Sequence, residues 1–467
     1  MTAIHEASPL RVVDISTLAT CSIPFTLLWP LTPMNLSLLR GYLWTILLFV
    51  VAGFASLSEA GELPPVSDLR PIAEFPDPLT MFDGSKVAGR EQWIKQRRPE
   101  LIDLFQHYMY GRPPAAPRTI ETAINRVDPN YFGGKATKKE VTISFGPPQA
   151  PKIELLLIVP NNPPGNLSIP KPVFLGINFC GNHTLLDDRM IALPTAWMPE
   201  HCLGCRDHQA TDAGRGTQKE VWAVEQTIDR GYALACFYCG DIDPDRNDFS
   251  DGVHPFYVAP GQVSRELHDW GSIAAWAWGM QRAVDYLVAN PEIDKTRIAI
   301  VGHSRLGKTV LLAGALDERI ALVIPHQAGC GGTAPSRHKV GETVKQINDR
   351  FPHWFCDEFK KFNDQVERLP FDQNCLVALC APRPVLFSNA QEDTWADPDG
   401  QFRVLQAAES VYRLLGSKGL DSQSRPEVDR LLDTPLGYYI RPGKHAMTTG
   451  DWKVFLTFAD KHFGIKR

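Results

Sequence analysis

Two periods of hydrophobicity run through the chain, and the points where one gives way to the other predict its elements. Residues 138–145 (KKEVTISF), 153–160 (IELLLIVP) and 171–179 (KPVFLGINF) are short runs rich in aliphatic and β-branched side chains, and each predicts a strand. A Pro-rich turn at Gly146 parts the first two. Residues 231–240, 320–325, 381–389 and 437–441 read the same way. Between them the period lengthens. Ile273, Trp276, Ala277, Met280, Val284 and Leu287 recur at three- and four-residue intervals, the apolar stripe of a helix packed on a sheet. Further helices are predicted over 89–110, 220–230, 401–415 and 451–463. Strands that are apolar throughout and alternate with helices are buried on both faces, so the pattern predicts an α/β fold, a three-layer αβα sandwich with a mostly parallel central sheet. Polar stretches interrupt it at 184–217 and at 241–247, where Asp241, Asp243 and Asp245 have the spacing of a calcium loop without its glycine and closing glutamate. That second stretch is read as a solvated loop.

The stretch 297–309, RIAIVGHSRLGKT, is a β-branched run, a glycine-bounded turn and a helix-forming segment. Around Ser304 it reads as a nucleophile elbow. Around Gly302, Gly307, Lys308 and Thr309 it matches the phosphate-cradling pattern G-x-x-x-x-G-K-S/T. Chain order separates the two. A phosphate loop usually follows the first strand and is followed by a strand ending in a magnesium-binding Asp. Here several strands precede the motif, and ALVIPHQAG, the next apolar run, ends without a carboxylate. The elbow reading requires nucleophile, acid and histidine in that order at the ends of successive strands. After Ser304 the strand PVLFSN runs into Glu392, Asp393 and Asp397, and GYYIRPG runs into His445. The fold is then of the α/β-hydrolase type, with Ser304 the nucleophile, His445 the base and Asp393 the orienting acid; Asp397 and Glu392 are the alternatives on the same loop. The main-chain N–H and guanidinium of Arg305 and the loop 178–182 are candidate oxyanion donors. His303, before the serine, is expected to turn its side chain away, and His326 to be structural.

Composition narrows the setting. The 44% hydrophobic fraction provides for a large core, and a net charge of −5 with no basic run argues against a nucleic-acid partner. Near the start, Arg40, the apolar run 42–52 (YLWTILLFVVA) and the small-x-small sequence at 58–60 form a secretory signal. We expect translation to begin at Met34 and cleavage to follow Ala60. Residues 1–60 are then an extension plus signal peptide, 61–130 an N-terminal wrap and 131–467 the catalytic domain. The apolar run is short for a membrane anchor, the alternative reading. The mature protein is therefore expected as a secreted or periplasmic monomer with no stable membrane span. Export also bears on the cysteines: Cys202, Cys205, Cys236 and Cys239 form two C-x-x-C pairs, open to disulfides, buried thiols or zinc. Cys180, Cys330, Cys356, Cys375 and Cys380, in apolar surroundings, read as buried thiols.

The residues now assembled resemble carbohydrate esterase family 15, the glucuronoyl esterases. The likeness rests on GHSRLGK at 302–308, on AGALDERIALVIPHQAGCGG, and on FPHWF, LPFDQNCLVALCAPRPV, DTWADP and RPGKH; it covers nearly all of 135–465. The resemblance implies a serine esterase that needs no metal or cofactor. Its substrate would be the ester between a glucuronate of xylan, 4-O-methylated, and a lignin-type alcohol. By the same resemblance Ser304 is the nucleophile, Arg305 assists the oxyanion, and Lys308, Trp395 and Glu342 hold the sugar. His303 stands where the family has Cys, and Gln327 where many members carry the catalytic Glu, which leaves Asp393 to serve as the acid. An acetyl-xylan esterase on the same fold and a catalytically dead carbohydrate-binding protein are the competing functions.

Overall fold

The computed structural model describes residues 11–14, 63–162, 169–259, 261–337 and 340–466. It consists of two units, one of 1–14 with 69–467 and a smaller one of 15–68, in which Val66–Asp68 forms a 3-10 turn. The apolar run at 42–52 and the cleavage sequence at 58–60 lie outside the described residues.

The larger unit is built on one sheet. Its strands are β1 (Arg11–Asp14), β2 (Thr119–Asn130), β3 (Ala136–Ser144), β4 (Ile153–Pro160), β5 (Lys171–Asn178), β6 (Ala233–Tyr238), β7 (Ile293–His303), β8 (Leu322–His326), β9 (Val385–Ala390) and β10 (Leu436–Arg441). They lie in the order β1-β2-β3-β4-β6-β5-β7-β8-β9-β10. From β6 to β10 every pairing is parallel, whereas β1 to β4 pair antiparallel with one another and β4 pairs antiparallel with β6. The expected parallel sheet thus describes the half that carries the chemistry. β2 falls within the stretch read as a wrap, and the hydrophobic pattern missed it. Among its twelve residues only Ile120 is fully buried, so an antiparallel strand near the sheet edge had no apolar run to display.

Helices cover the sheet where the pattern placed them: Ser272–Ala289, Arg305–Leu316, Pro398–Leu414 and Thr449–His462. The last drives Trp452, Phe455 and Phe458 into a core shared with Phe174 of β5, Leu234 of β6, Ala299 of β7 and Leu386 of β9. After β5 the chain steps to β6 on one side and then back across to β7 on the other, so β5 and β7 flank a switch of winding direction. Ligand sites of open α/β sheets form at such points, beyond the carboxyl ends of the strands.

Two sequence expectations are corrected here. Cys180 is not a free thiol: it forms a disulfide with Cys202, tying the loop after β5 to the polar insertion. Cys205, Cys236 and Cys239 are unbridged, the last two buried, and no group of three or more His, Cys, Asp or Glu among the described residues could hold a metal ion. The stretch 241–247 is not a solvated loop either. Asp241 and Asp243 are buried, and Asp245 accepts bonds from His353 Nε2 at 3.0 Å and Trp354 Nε1 at 2.8 Å. Its acidic spacing serves interior contacts that a one-dimensional pattern cannot distinguish from a metal loop.

Candidate active site

The elbow at the end of β7 is held by close packing. A Cβ on Gly302 would stand 2.3 Å from the Leu306 carbonyl oxygen, and one on Gly307 would stand 3.0 Å from that of His326. Both glycines therefore let backbone approach backbone, and the left-handed turn itself falls on Ser304, with φ 58° and ψ −124°. A residue with a Cβ is seldom held there, and at the end of a strand this strain lifts its side chain above the sheet. Ser304 caps the helix Arg305–Leu316; its carbonyl accepts the N–H groups of Gly307 at 2.9 Å and Lys308 at 3.2 Å. The amides of Arg305 and Leu306 precede these first bonds, at the positive end of a twelve-residue helix.

A cavity of about 370 Å³ opens above the elbow. Ser304, Arg305, Lys308, Glu342, Asp393, Trp395 and His445, all singled out in the sequence, line it. His445 lies beyond β10 and Asp393 beyond β9, and His445 Nδ1 is 2.6 Å from Asp393 Oδ2. The carboxylate is nearly buried while the imidazole is 41% exposed, so the ring bridges the protein interior and the cavity. With the proton on Nδ1 donated to Asp393, the lone pair resides on Nε2. Asp397, the alternative acid, is otherwise engaged: it caps the helix Pro398–Leu414 and accepts from Gly400 N at 2.9 Å. Glu392 is exposed and does not line the cavity.

Gln327 follows β8 with φ 48° and lines the cavity, and its side-chain oxygen is engaged by the neighbouring loop. Its Oε1 accepts from Ala446 N at 3.0 Å. The Ala446 carbonyl in turn accepts from His326 Nε2 at 3.0 Å and Arg441 Nη2 at 2.5 Å. His326 is thus structural, as expected. Three side chains fix the residue after His445, and a capping box between Thr448 and Asp451 anchors the loop's far end.

Arg305 points its guanidinium along the cavity wall, between the rings of Phe179 at 5.1 Å and Trp354 at 5.4 Å, with Nη1 2.8 Å from Asp245 Oδ2. Burial pushes the Asp245 carboxyl up, but the bond from His353, the Arg305 charge and the bond from Trp354 outweigh it, so the group sits below its ordinary value. The loop 178–182 contributes no residue to the cavity lining, and its Gly181 amide is taken by Asn178 Oδ1 at 2.7 Å. Lys308 is 4% exposed, lines the cavity, donates to the Ala328 carbonyl, and lies 5.8 Å from the Trp354 ring. Glu342 is buried at the wall, its amide bonded to the Trp395 carbonyl at 3.1 Å, and the Trp395 ring is half exposed at the rim.

Among the lining residues that escaped the sequence reading are Arg350, Phe351 and Trp354. Phe351 and Trp354 stack at 3.7 Å with their planes 5° apart, and the Arg350 guanidinium lies 5.1 Å beyond Phe351. The aromatic cluster FPHWF was the available signal, but nothing local tells a packed aromatic from one facing a cavity. His303 was expected to turn away and does not line the cavity; its ring lies 4.5 Å from that of His445.

Comparison with known proteins follows the same lines. Residues 218–416 match a family model described as glucuronyl esterase of fungi. The chain is 46% identical over 397 residues to carbohydrate esterase MZ0003 from an unknown prokaryotic organism, covering 84% of this chain and 90% of that one. It is 33% identical to the 4-O-methyl-glucuronoyl methylesterase 1 of Wolfiporia cocos, covering 73% and 72%. Among solved structures, a promiscuous CE15 esterase from a marine bacterial metagenome superposes with a TM-score of 0.78 at 45% identity, over 85% of this chain and 98% of that one. Identity of 46% over 90% of one relative and 45% over 98% of a solved CE15 esterase leaves one conclusion: the chain belongs to carbohydrate esterase family 15, the glucuronoyl esterases.

Proposed function

We propose that the chain is a secreted, monomeric serine esterase that hydrolyses glucuronoyl esters, cleaving the bond between 4-O-methyl-glucuronate on xylan and a lignin-type alcohol. Ser304 Oγ attacks the ester carbonyl while His445 Nε2 takes its proton, and Asp393 holds the ring and balances the imidazolium. The oxyanion is received by the main-chain N–H and guanidinium of Arg305. Collapse expels the alcohol, which leaves with the proton from His445, and a water activated by the same base releases the glucuronate from the acyl-enzyme. Lys308 and Glu342 offer a donor and an acceptor to the sugar hydroxyls, and Trp395 covers its face.

The observation that carries this reading is the 2.6 Å contact between His445 and Asp393 at the wall of the cavity that Ser304 also lines. A donor–acceptor pair of charged side chains beside the sugar-sized space fits a uronate, whose hydroxyls both donate and accept, better than an acetyl group, whose carbonyl can accept but which has no donor for Glu342. A broader ester range is the second reading, favoured by the description of a 45% identical relative as promiscuous. Hydrolysis of benzyl glucuronate beside acetylated xylan decides between them: the glucuronate should turn over faster, and Ser304→Ala should abolish both activities. Faster release of acetate would overturn the substrate assignment; activity surviving in the variant would overturn the role of Ser304.

A further inference from the structure

His303 is the last residue of β7, directly before Ser304. Its ring centroid is 4.5 Å from that of His445 with the planes inclined by 37°, and 5.1 Å from that of His326 at 36°. The ring of Phe179 meets it edge-on at 6.3 Å. His303 Nδ1 is buried and has no hydrogen-bond partner among the described residues. The imidazole therefore meets His445 through its face, in a tilted stack, rather than through a hydrogen bond at that nitrogen.

That contact answers a need of the site. The single bond from His445 Nδ1 to Asp393 fixes one direction of the ring but leaves it free to roll about that axis, and the ring is 41% exposed. A flat wall against one face removes the roll, and the loss of that freedom before the reaction is what aligns Nε2 with the serine. We infer that His303 is a positioning residue, an aromatic wall that keeps the His445 ring in the plane set by Asp393 and offers its π face to the imidazolium formed when Ser304 is deprotonated.

The surroundings suit this role. His326 faces His303 from β8, His445 from the loop after β10, Arg305 from the helix that follows Ser304, and Arg441 from the end of β10. The neighbouring imidazoles have carboxylates of their own, Asp393 beside His445 and Asp451 3.9 Å from His326. Burial, reinforced by the imidazoles and guanidinium groups around it, holds His303 well below the usual histidine range, so the wall stays neutral while His445 cycles through its charge. A neutral π face attracts a cation, whereas a charged ring would repel it.

The inference rests on the Ser304–His445–Asp393 assignment, and its test separates the two. Steady-state kinetics on benzyl glucuronate are measured for wild type, His303→Ala, His303→Leu and His303→Phe, with melting temperatures, beside Ser304→Ala. His303→Ala should lower kcat by about 10- to 100-fold with KM little changed, the scale on which a misaligned catalytic group costs rate. Leu should restore the melting temperature but not kcat, and Phe should restore both. Wild-type kcat in the Ala variant, or equal kcat in Leu and Phe, would overturn the inference; the Leu and Phe pair, both of which fill the space, decides the matter even if Ala fails to fold. Activity remaining in Ser304→Ala would instead overturn the underlying assignment.

Discussion

Asp393 and Asp397 stand four residues apart on one loop, yet one faces an imidazole and the other a helix terminus. Their substitutions should therefore separate cleanly. Asp393→Asn keeps the shape but reverses the hydrogen-bond preference at His445 Nδ1, favouring the wrong tautomer; kcat should fall by roughly 10⁴-fold with little change in melting temperature. Asp397→Ala removes a helix cap and should cost about 1 kcal/mol of stability while kcat on benzyl glucuronate stays near wild type. The opposite pattern of kinetics and melting would exchange their roles. At the same scale, Gln327 has a structural part to play: its Oε1 accepts from the amide of Ala446, one residue past His445, and so supports the loop without titrating.

At the scale of elements, the site depends on two loops held from outside. The loop after β10 is fixed by Gln327, His326 and Arg441 through Ala446. The loop after β5 carries Phe179, whose ring lies against the Arg305 guanidinium, and is tied down by the Cys180–Cys202 bond beside it. That bond closes a loop with a sequence separation of 22 residues. By chain entropy such a bridge contributes about 3 kcal/mol. Cys202→Ala should lower the melting temperature by several degrees, and a reductant should lower that of wild type but not of the variant. Identical responses to reductant in the two proteins would mean that the bridge does not form.

For the molecule as a whole, buried histidines set the response to acid. Burial is the largest cause holding His107, His183 and His462 down at about 4, and it also lowers His303 and His326. Between those values and the ordinary histidine pKa near 6.5, the unfolded chain binds protons that the folded one refuses. Stability therefore rises with pH across this window and is lost as pH falls through it. Asp241, Glu154 and Asp251, raised chiefly by burial, act in the opposite sense but are fewer. The melting temperature should accordingly be lower at pH 5 than at pH 7.5, measured at constant ionic strength; a flat profile would show that these rings are protonated in the fold. No helix among the described residues is long and apolar enough to cross a membrane.

The amino-acid sequence by itself determined the parallel half of the sheet and its covering helices, because strands buried on both faces must be apolar throughout. It also determined the order Ser304, Asp393, His445, because each of these residues ends a strand whose pattern is legible on its own. The antiparallel strand β2 was hidden because its sides demand few apolar positions. Only the tertiary structure set Asp393 rather than Asp397 against His445, joined Cys180 to Cys202, and turned Asp245 inward to Arg305, since these contacts link segments whose local sequences carry no mark of each other. It also decided the direction of the His303 ring. Alternation along a strand predicts which face a side chain leaves from, but not that the loop after β10 reaches back to the end of β7. There the ring meets His445, a neighbour 142 positions away that no local pattern could supply.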